Sequence, residues 1–302
     1  MVVLIFLVGM NIGDAVRMLN ETCLEPYISP VMRGFLMGLN TNLYHTGRSH
    51  ALLGGDVSLS LSFVTIPDKY DYATYKVLKW NSSALNFTDT VEIKWTTASG
   101  PEKSDSTLGE EYLPPVLPRG FNVNLLPLLL VQVNIGLLRG VEVGLRYLPV
   151  FKLLGEKFAY WGAGIKLDLK KMRVLKAPFH LTPFFFYQSI RWGEFAKVDI
   201  ISIDLIFCKT INLHLFTLTP YISPGIGFAT ARFSYGFKYT DPLTNEQKEI
   251  QLSPSFGYFA PKFSGGLRFR FPLMPLVGWT LVFNAIFTEF PSFSIGLGLT
   301  AR

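Results

Sequence analysis

The chain has 302 residues, of which 49% are hydrophobic, 15% aromatic and only 17% charged, with a net charge of +6. Soluble domains carry about 25% charged residues, so there is more apolar surface here than a water-soluble core needs, yet no run of about 18 apolar residues provides a helical membrane span. The basic residues stand singly among apolar segments rather than in a patch, which sets nucleic acid aside as a partner.

In chain order, residues 1–15 resemble a secretory signal: an apolar stretch, MVVLIFLVGM, is followed by a small-x-small site at Gly13-Asp14-Ala15, although no Lys or Arg precedes it. The plainer alternative is a buried N-terminal helix. Residues 16–50 form a distinct N-terminal region. Within it Ser29 suits a helix N-cap and Pro30 the first helical position, and Val31, Met32, Phe35, Leu36 and Leu39 then recur at helical spacing around a single charge, Arg33. A helix of about ten residues, this short and this apolar, neither spans a bilayer nor sits free in water. It is expected to be packed as a plug.

From residue 51 the period becomes two. In GDVSLSLSFV (55–64), Val57, Leu59, Leu61 and Phe63 share one face, while Asp56, Ser58, Ser60 and Ser62 share the other. Further strands are read near 124–137, 140–150, 158–170, 180–191, 198–208, 213–238, 250–271, 279–288 and 291–302. The polar face of these dyads is mostly Ser, Gly and Thr with single charges, whereas a soluble sandwich would present Lys and Glu to water. Bulky residues facing lipid and small ones facing an enclosed interior specify an all-β fold: an antiparallel transmembrane β-barrel of about 10–12 strands with a short N-terminal helical plug, occupying 51–302.

The connections alternate in length. If 55–64 runs outward, residues 65–123 are a long external excursion, Leu138-Arg139 is a tight inner turn, and TDPLTNEQKE (240–249) is again external. TDTVEIKWTT (88–97) suits half of an extra hairpin, which would raise ten strands to twelve.

Signatures of catalysis are lacking: there is no Gly-x-Ser-x-Gly elbow, no phosphate loop, and His45, His50, His180 and His214 have no metal-ligand spacing. No enzyme activity, metal or cofactor is expected, and Cys23 and Cys208 define no framework. The chemistry is expected in the lumen, toward which Asp56, Glu142, Arg146, Lys166, Asp168, Asp204, Arg268, Arg270 and Asn284 would point. Enclosed charges need partners, so these residues either brace the barrel and hold the plug or line a path for a solute. Tyr147, Trp161, Trp192, Tyr235, Tyr239 and Trp279 suit interface girdles.

PYISPVMRGFLMGLNTNLYHTGRSH (26–50) and LPRGFNVNLLPLLLVQVNIGLLRGVEVGLRYLPVFK (117–152) together resemble bacterial outer-membrane β-barrel proteins, in particular uncharacterised Bacteroidetes-type barrels and, in architecture only, the long-chain fatty-acid transporter family. The transporters' N-terminal motifs are not matched, and the chain ends Thr300-Ala301-Arg302 rather than in the usual aromatic residue. The resemblance implies residence in the bacterial outer membrane, contact with its lipid, and a plugged lumen that binds or passes a small, hydrophobic molecule. The alternative is a scaffold subunit with an outer-membrane protein partner.

Overall fold

A computed structural model of the protein describes residues 25–81, 86–102, 112–113, 119–153, 156–194, 196–240, 247–252, 255–274 and 276–301. The signal-like segment 1–15, Cys23 and most of 99–115 lie outside the described residues. Glu25–Gly38 is helix α1. The strands are β1 Gly55–Thr65, β2 Tyr72–Asn81, β3 Asn86–Thr96, β4 Tyr112–Leu113, β5 Leu125–Leu138, β6 Val141–Leu153, β7 Glu156–Leu167 and β8 His180–Trp192. They continue as β9 Ala196–Cys208, β10 Ile211–Asn212, β11 Thr217–Phe233, β12 Tyr235–Thr240, β13 Gln247–Leu252, β14 Ser255–Pro272, β15 Val277–Phe287 and β16 Ser292–Ala301.

Two compact units are distinguished, one of residues 34–65, 125–231 and 257–302, the other of residues up to 33, 66–124 and 232–256. The first is a closed antiparallel barrel. Its strands run in the order β11-β14-β15-β16-β1-β5-β6-β7-β8-β9, and β9 returns to β11 to complete the ring of ten, with the two-residue β10 attached to β11. An even strand number is what an antiparallel ring requires.

Register explains why the dyads work. β1 pairs with β16 so that Ser58 meets Gly298, Ser60 meets Gly296 and Ser62 meets Ser294, while Leu59 meets Leu297 and Leu61 meets Ile295. Like therefore faces like from strand to strand. Ser60 is 4% exposed and its neighbour Leu59 47% exposed, the inverse of a soluble protein. On β5 the outward residues run from Leu125 to Leu137, roughly 30 Å along the barrel axis for strands tilted by about 40°, enough to cross a hydrocarbon core. This polarity makes the ring a membrane barrel. Tyr147, Trp161 and Trp279 all lie on its outer face, where girdle residues belong; the side chains of Tyr235 and Tyr239 lie outside the described residues.

The other unit contains a sheet of order β3-β2-β4, the hairpin β12-β13, and the start of α1. Its apolar centre is Tyr27, Tyr75, Val77 and Ala98, with Val31 packed against them. Tyr27 donates its hydroxyl to the Arg119 carbonyl at 2.7 Å, and Tyr75 donates to Thr96 at 2.8 Å.

The structure revises three expectations. The segment 88–97 does form a hairpin, but β3 pairs with β2 outside the ring, so the barrel keeps ten strands. The long segments 213–238 and 250–271 each split: β11 and β14 belong to the ring, while β12 and β13 pair with each other. Helix α1 already includes Glu25, placing Pro30 inside it rather than at its first turn. A proline there gives up one backbone hydrogen bond, and apolar packing of Tyr27 and Val31 holds the turn together.

Candidate functional site

Within the barrel unit, residues 39–50 form an irregular strap buried along nearly its whole length. Its course follows from its partners. At one end, a methyl placed on Gly38 would strike Val64 and Leu128, where β1 ends and β5 begins. At the other, Leu53 donates its N–H to the Gly136 carbonyl at 2.8 Å, and Gly136 returns one to Gly54, also at 2.8 Å. The strap thus enters where the long connections leave the barrel and exits beside the tight turn at Gly140, whose φ of +88° suits glycine. A short turn then delivers the chain into β1.

The strap is held by side chains of the wall. Among the described residues, no backbone-to-backbone hydrogen bond involves residues 42–50. Arg146 of β6 donates to the carbonyls of Leu39 at 2.9 Å and Thr41 at 2.7 Å. The same guanidinium donates to Gln132 at 2.8 Å and to Gln188 at 3.2 Å, and the Tyr160 hydroxyl donates to Gln188 at 2.7 Å. Gln132 in turn donates to the Leu43 carbonyl at 2.7 Å. Arginine is suited to this task because its planar fork satisfies several acceptors at once and stays charged when enclosed. It also lies 5.7 Å from the Phe186 ring centre, in cation–π range.

Glycines make that arrangement possible. Phe186 points inward, and a Cβ on Gly164 would lie 2.2 Å from its ring; on Gly162 the distance would be 2.8 Å. The Gly-Ala-Gly sequence of β7 therefore clears space for one aromatic ring beneath the strap. Tyr44 of the strap packs edge-on against Phe184 at 5.1 Å and Tyr221 at 5.9 Å, and its hydroxyl bonds Ser264 at 2.6 Å.

Toward the turn end the contacts become ionic. Glu142 pairs with Lys166 and accepts from both the backbone and ring nitrogens of His50, each at 2.8 Å. Lys166 also donates to the Thr46 carbonyl at 3.2 Å. Asp168, just past β7, accepts from Ser49 N–H at 3.2 Å and pairs with His180 at 2.9 Å. Burial alone would raise the Asp168 carboxyl, but hydrogen bonds from His180 and from the backbone of Lys171 and Ser49 outweigh it and hold the group below its ordinary value. Asp56 accepts from Asn134 at 2.6 Å. On the opposite wall Lys262 pairs with Asp204 at 3.0 Å and Asn284 donates to Tyr221 at 2.8 Å. The free thiol Cys208 lies 3.2 Å from Gly47 N.

All nine residues expected in the lumen are buried. The structure gathers Glu142, Lys166 and Asp168 around strap residues 46–50, places Arg146 higher on Leu39 and Thr41, and sets Asp204 and Asn284 against the other wall. Arg268 and Arg270 face inward at the turn end. The expected plug residues are divided: Val31, Met32 and Arg33 belong to the other unit, Phe35 is half-buried, and Leu36 and Leu39 are fully buried in the barrel unit. Residues 39–50, rather than the helix, occupy the interior.

Sequence reading missed Gln132, Gln188, Thr182 and Lys262 as strap or wall partners, although Gln132 stands on the same dyad face as Asn134. For Gln188 the signal is hidden, because the run Phe184-Phe185-Phe186-Tyr187 is aromatic on both faces and conceals its phase. Among the described residues no group of His, Cys, Asp and Glu is arranged to hold a metal ion.

The chain is similar in fold to solved outer-membrane barrels. It shares 10% identity with the outer membrane protease OmpT from Escherichia coli, covering 85% of this chain and 99% of that one at a TM-score of 0.36. With the translocator domain of the autotransporter NalP from Neisseria meningitidis it shares 10% identity, covering 94% and 99% at a TM-score of 0.34. With the monoaromatic hydrocarbon channel CymD it shares 9%, covering 90% and 97% at 0.21. No curated protein matches. A family model matches residues 10–301, and the chain belongs to that family, DUF6588, a family of unknown function.

Proposed function

We propose that the protein resides in a bacterial outer membrane as a barrel whose lumen is closed at rest by the strap 39–50, and that displacement of the strap admits a small solute. The long connections lie outside the cell and the short turns face the periplasm. The observation that carries this reading is the mode of attachment: the strap crosses the interior on side-chain hydrogen bonds, without a β-ladder to make it part of the wall. Among the described residues seventeen such bonds at about 1 kcal/mol each put complete withdrawal well above ~10 kcal/mol, so spontaneous opening is rare and the resting barrel is sealed. Each bond is nevertheless replaceable by water, and so the closure is reversible.

The lining favours a polar solute over the hydrophobic one that the resemblance implies. Hydroxyl, amide and charged groups dominate the inward face, and the aromatic cluster of Tyr44, Phe184, Phe186 and Tyr221 is occupied by the strap itself.

The test is conductance in planar bilayers. Thr41 and Ser62 hydroxyls are 2.7 Å apart, so Thr41→Cys with Ser62→Cys, in a background carrying Cys23→Ser and Cys208→Ser, tethers strap to wall when oxidised. The wild-type barrel should be nearly silent, a chain lacking residues 16–50 should conduct, and the oxidised tether should abolish any residual openings that reduction restores. A deletion as silent as the wild type would refute the gating reading.

A further inference from the structure

The connections at the two ends of the barrel differ in charge. At the turn end, those after β5, β7, β9 and β14 carry Arg139, Lys170, Lys171, Arg173, Lys176 and Lys209 against one acid, Asp168, which is buried beside His180. At the other end, the connections that stay within the barrel unit, after β6, β8 and β15, carry two acids, Glu194 and Glu289, and no Lys or Arg. The turn end also presents large apolar side chains: Leu52, Leu53, Leu138, Val174, Leu215 and Met274 are each more than half exposed. Exposed apolar groups gathered in one place mark a contact surface, and their mixture with cations is the chemistry that meets anionic amphiphiles.

On this surface, between the end of the strap and the turns after β5 and β7, lies an open groove of about 690 Å³, a size within the roughly 300–1,000 Å³ of small-molecule sites. Leu52 and Leu138 line it together with Arg139, Lys170 and Lys171. Among the described residues its lining holds no Asp or Glu; Asp168 and Glu142 stand behind it, bound to His180 and to His50 and Lys166. Arg139 donates to the Lys171 carbonyl at 3.1 Å, and Lys171 donates to the carbonyls of Ser49 and His50. These bonds fix the cations in place without neutralising them, because a carbonyl carries no charge. The outward apolar run of β5 ends at Leu137, and Leu138 and Arg139 follow at once. The groove therefore opens at the level where acyl chains give way to headgroups.

We propose that this groove seats the headgroup of an anionic phospholipid: Arg139, Lys170 and Lys171 meet its phosphate oxygens, and Leu52 and Leu138 lie along the first methylenes of its chains. A zwitterionic headgroup carries its own cation and gains less from the same site. The site rests on the membrane placement proposed above and is independent of any movement of the strap.

Native mass spectrometry of the full chain in detergent, titrated with dioleoyl phosphatidylglycerol or dioleoyl phosphatidylcholine, tests it. One phosphatidylglycerol should be retained roughly tenfold more tightly than phosphatidylcholine of the same chains. Arg139→Gln with Lys170→Gln should abolish most of that preference. Lys152→Gln with Lys157→Gln, which removes equal charge at the far ends of β6 and β7, should leave it unchanged. Leu138→Ser should weaken both lipids alike. Gel mobility before and after boiling confirms that each variant is folded, and the comparison of the two lipids on the wild-type chain decides even where a variant is not. Equal affinity for the two lipids, or equal losses from the two double variants, would overturn the proposal. Glycerol phosphate, which has the charge without the chains, should compete far more weakly than the lipid; competition at parity would give the groove to a soluble phosphate ester and overturn the lipid assignment. A dimer dispersed by Arg139→Gln with Lys170→Gln, with no lipid preference, would give it to a second copy of the chain. Because the strap stays in place throughout, loss of the lipid preference leaves the conductance test of gating standing, and a silent strap deletion leaves the lipid site standing.

Discussion

The Arg146 guanidinium donates at 2.7 Å to the Thr41 carbonyl, a charged side chain of the wall gripping the main chain of the strap. Because carbonyls accept this contact, the identity of Thr41 matters less than the presence of the arginine. Replacing Arg146 by Met leaves the Leu39 and Thr41 carbonyls and the Gln132 and Gln188 amides short of a donor. A loss of about 3–5 kcal/mol follows, read as a lower midpoint in denaturant, with increased conductance of the refolded barrel. Arg146→Lys should recover only part of this, since one ammonium cannot reproduce the fork.

Gly164 and Phe186 form a second dependency. Gly164→Ala places a methyl 2.2 Å from the ring, an overpacking expected to cost about 1–3 kcal/mol. Phe186→Leu in the same chain should recover most of it, although either change alone destabilises. The folded fraction on unboiled gels measures both, and additive losses would show that the two positions do not share space.

Neighbouring positions on β1 report the barrel's polarity. Leu59→Arg places a charge against acyl chains and is expected to cost about 2–4 kcal/mol in refolding into vesicles. Ser60→Ala loses only a 3.4 Å contact to the Leu130 carbonyl and should change stability by less than about 1 kcal/mol. Equal effects at the two sites would contradict the outward placement of Leu59.

Acid should loosen the turn end. The Asp168 carboxyl is held below its ordinary value in the folded protein, so its contribution is complete above the unfolded value of about 4 and is lost as pH falls through the lower, folded one. Wild-type stability therefore declines on acidification below about pH 4, and Asp168→Asn, less stable near neutrality, declines less over the same range. Parallel profiles would remove Asp168 as the source.

The barrel was legible in the sequence wherever one face is bulky and the other small, as in β1 and β16, because a period of two admits only one sidedness. Ten strands rather than twelve were not legible, since β2 and β3 carry the same local pattern as wall strands, and only long-range pairing decides which sheet they join. The inward charges were readable from phase alone. Their grouping was not, because Glu142 meets Lys166 across β6 and β7 and His50 from the strap. Least visible was the strap. An irregular segment leaves no periodic trace, and the helical spacing of Val31 to Leu39 drew attention to the helix before it.

The ring is sealed where its first strand meets its last: β1 pairs with β16 over Gly55–Val64. The strap leads directly into β1, and its anchors, from Ser58, whose hydroxyl bonds the His45 ring at 2.9 Å, and Gln132 to Gln188 and Ser264, are spread across the whole chain. This connectivity predicts an order of biogenesis. The hairpins must curl around residues 39–50 before the C-terminal strand arrives, and the final zippering captures a segment already lying inside. A free end never needs to be drawn through a finished hoop, and synthesis interrupted before residue 292 would leave the segment with an open trough instead of a tunnel.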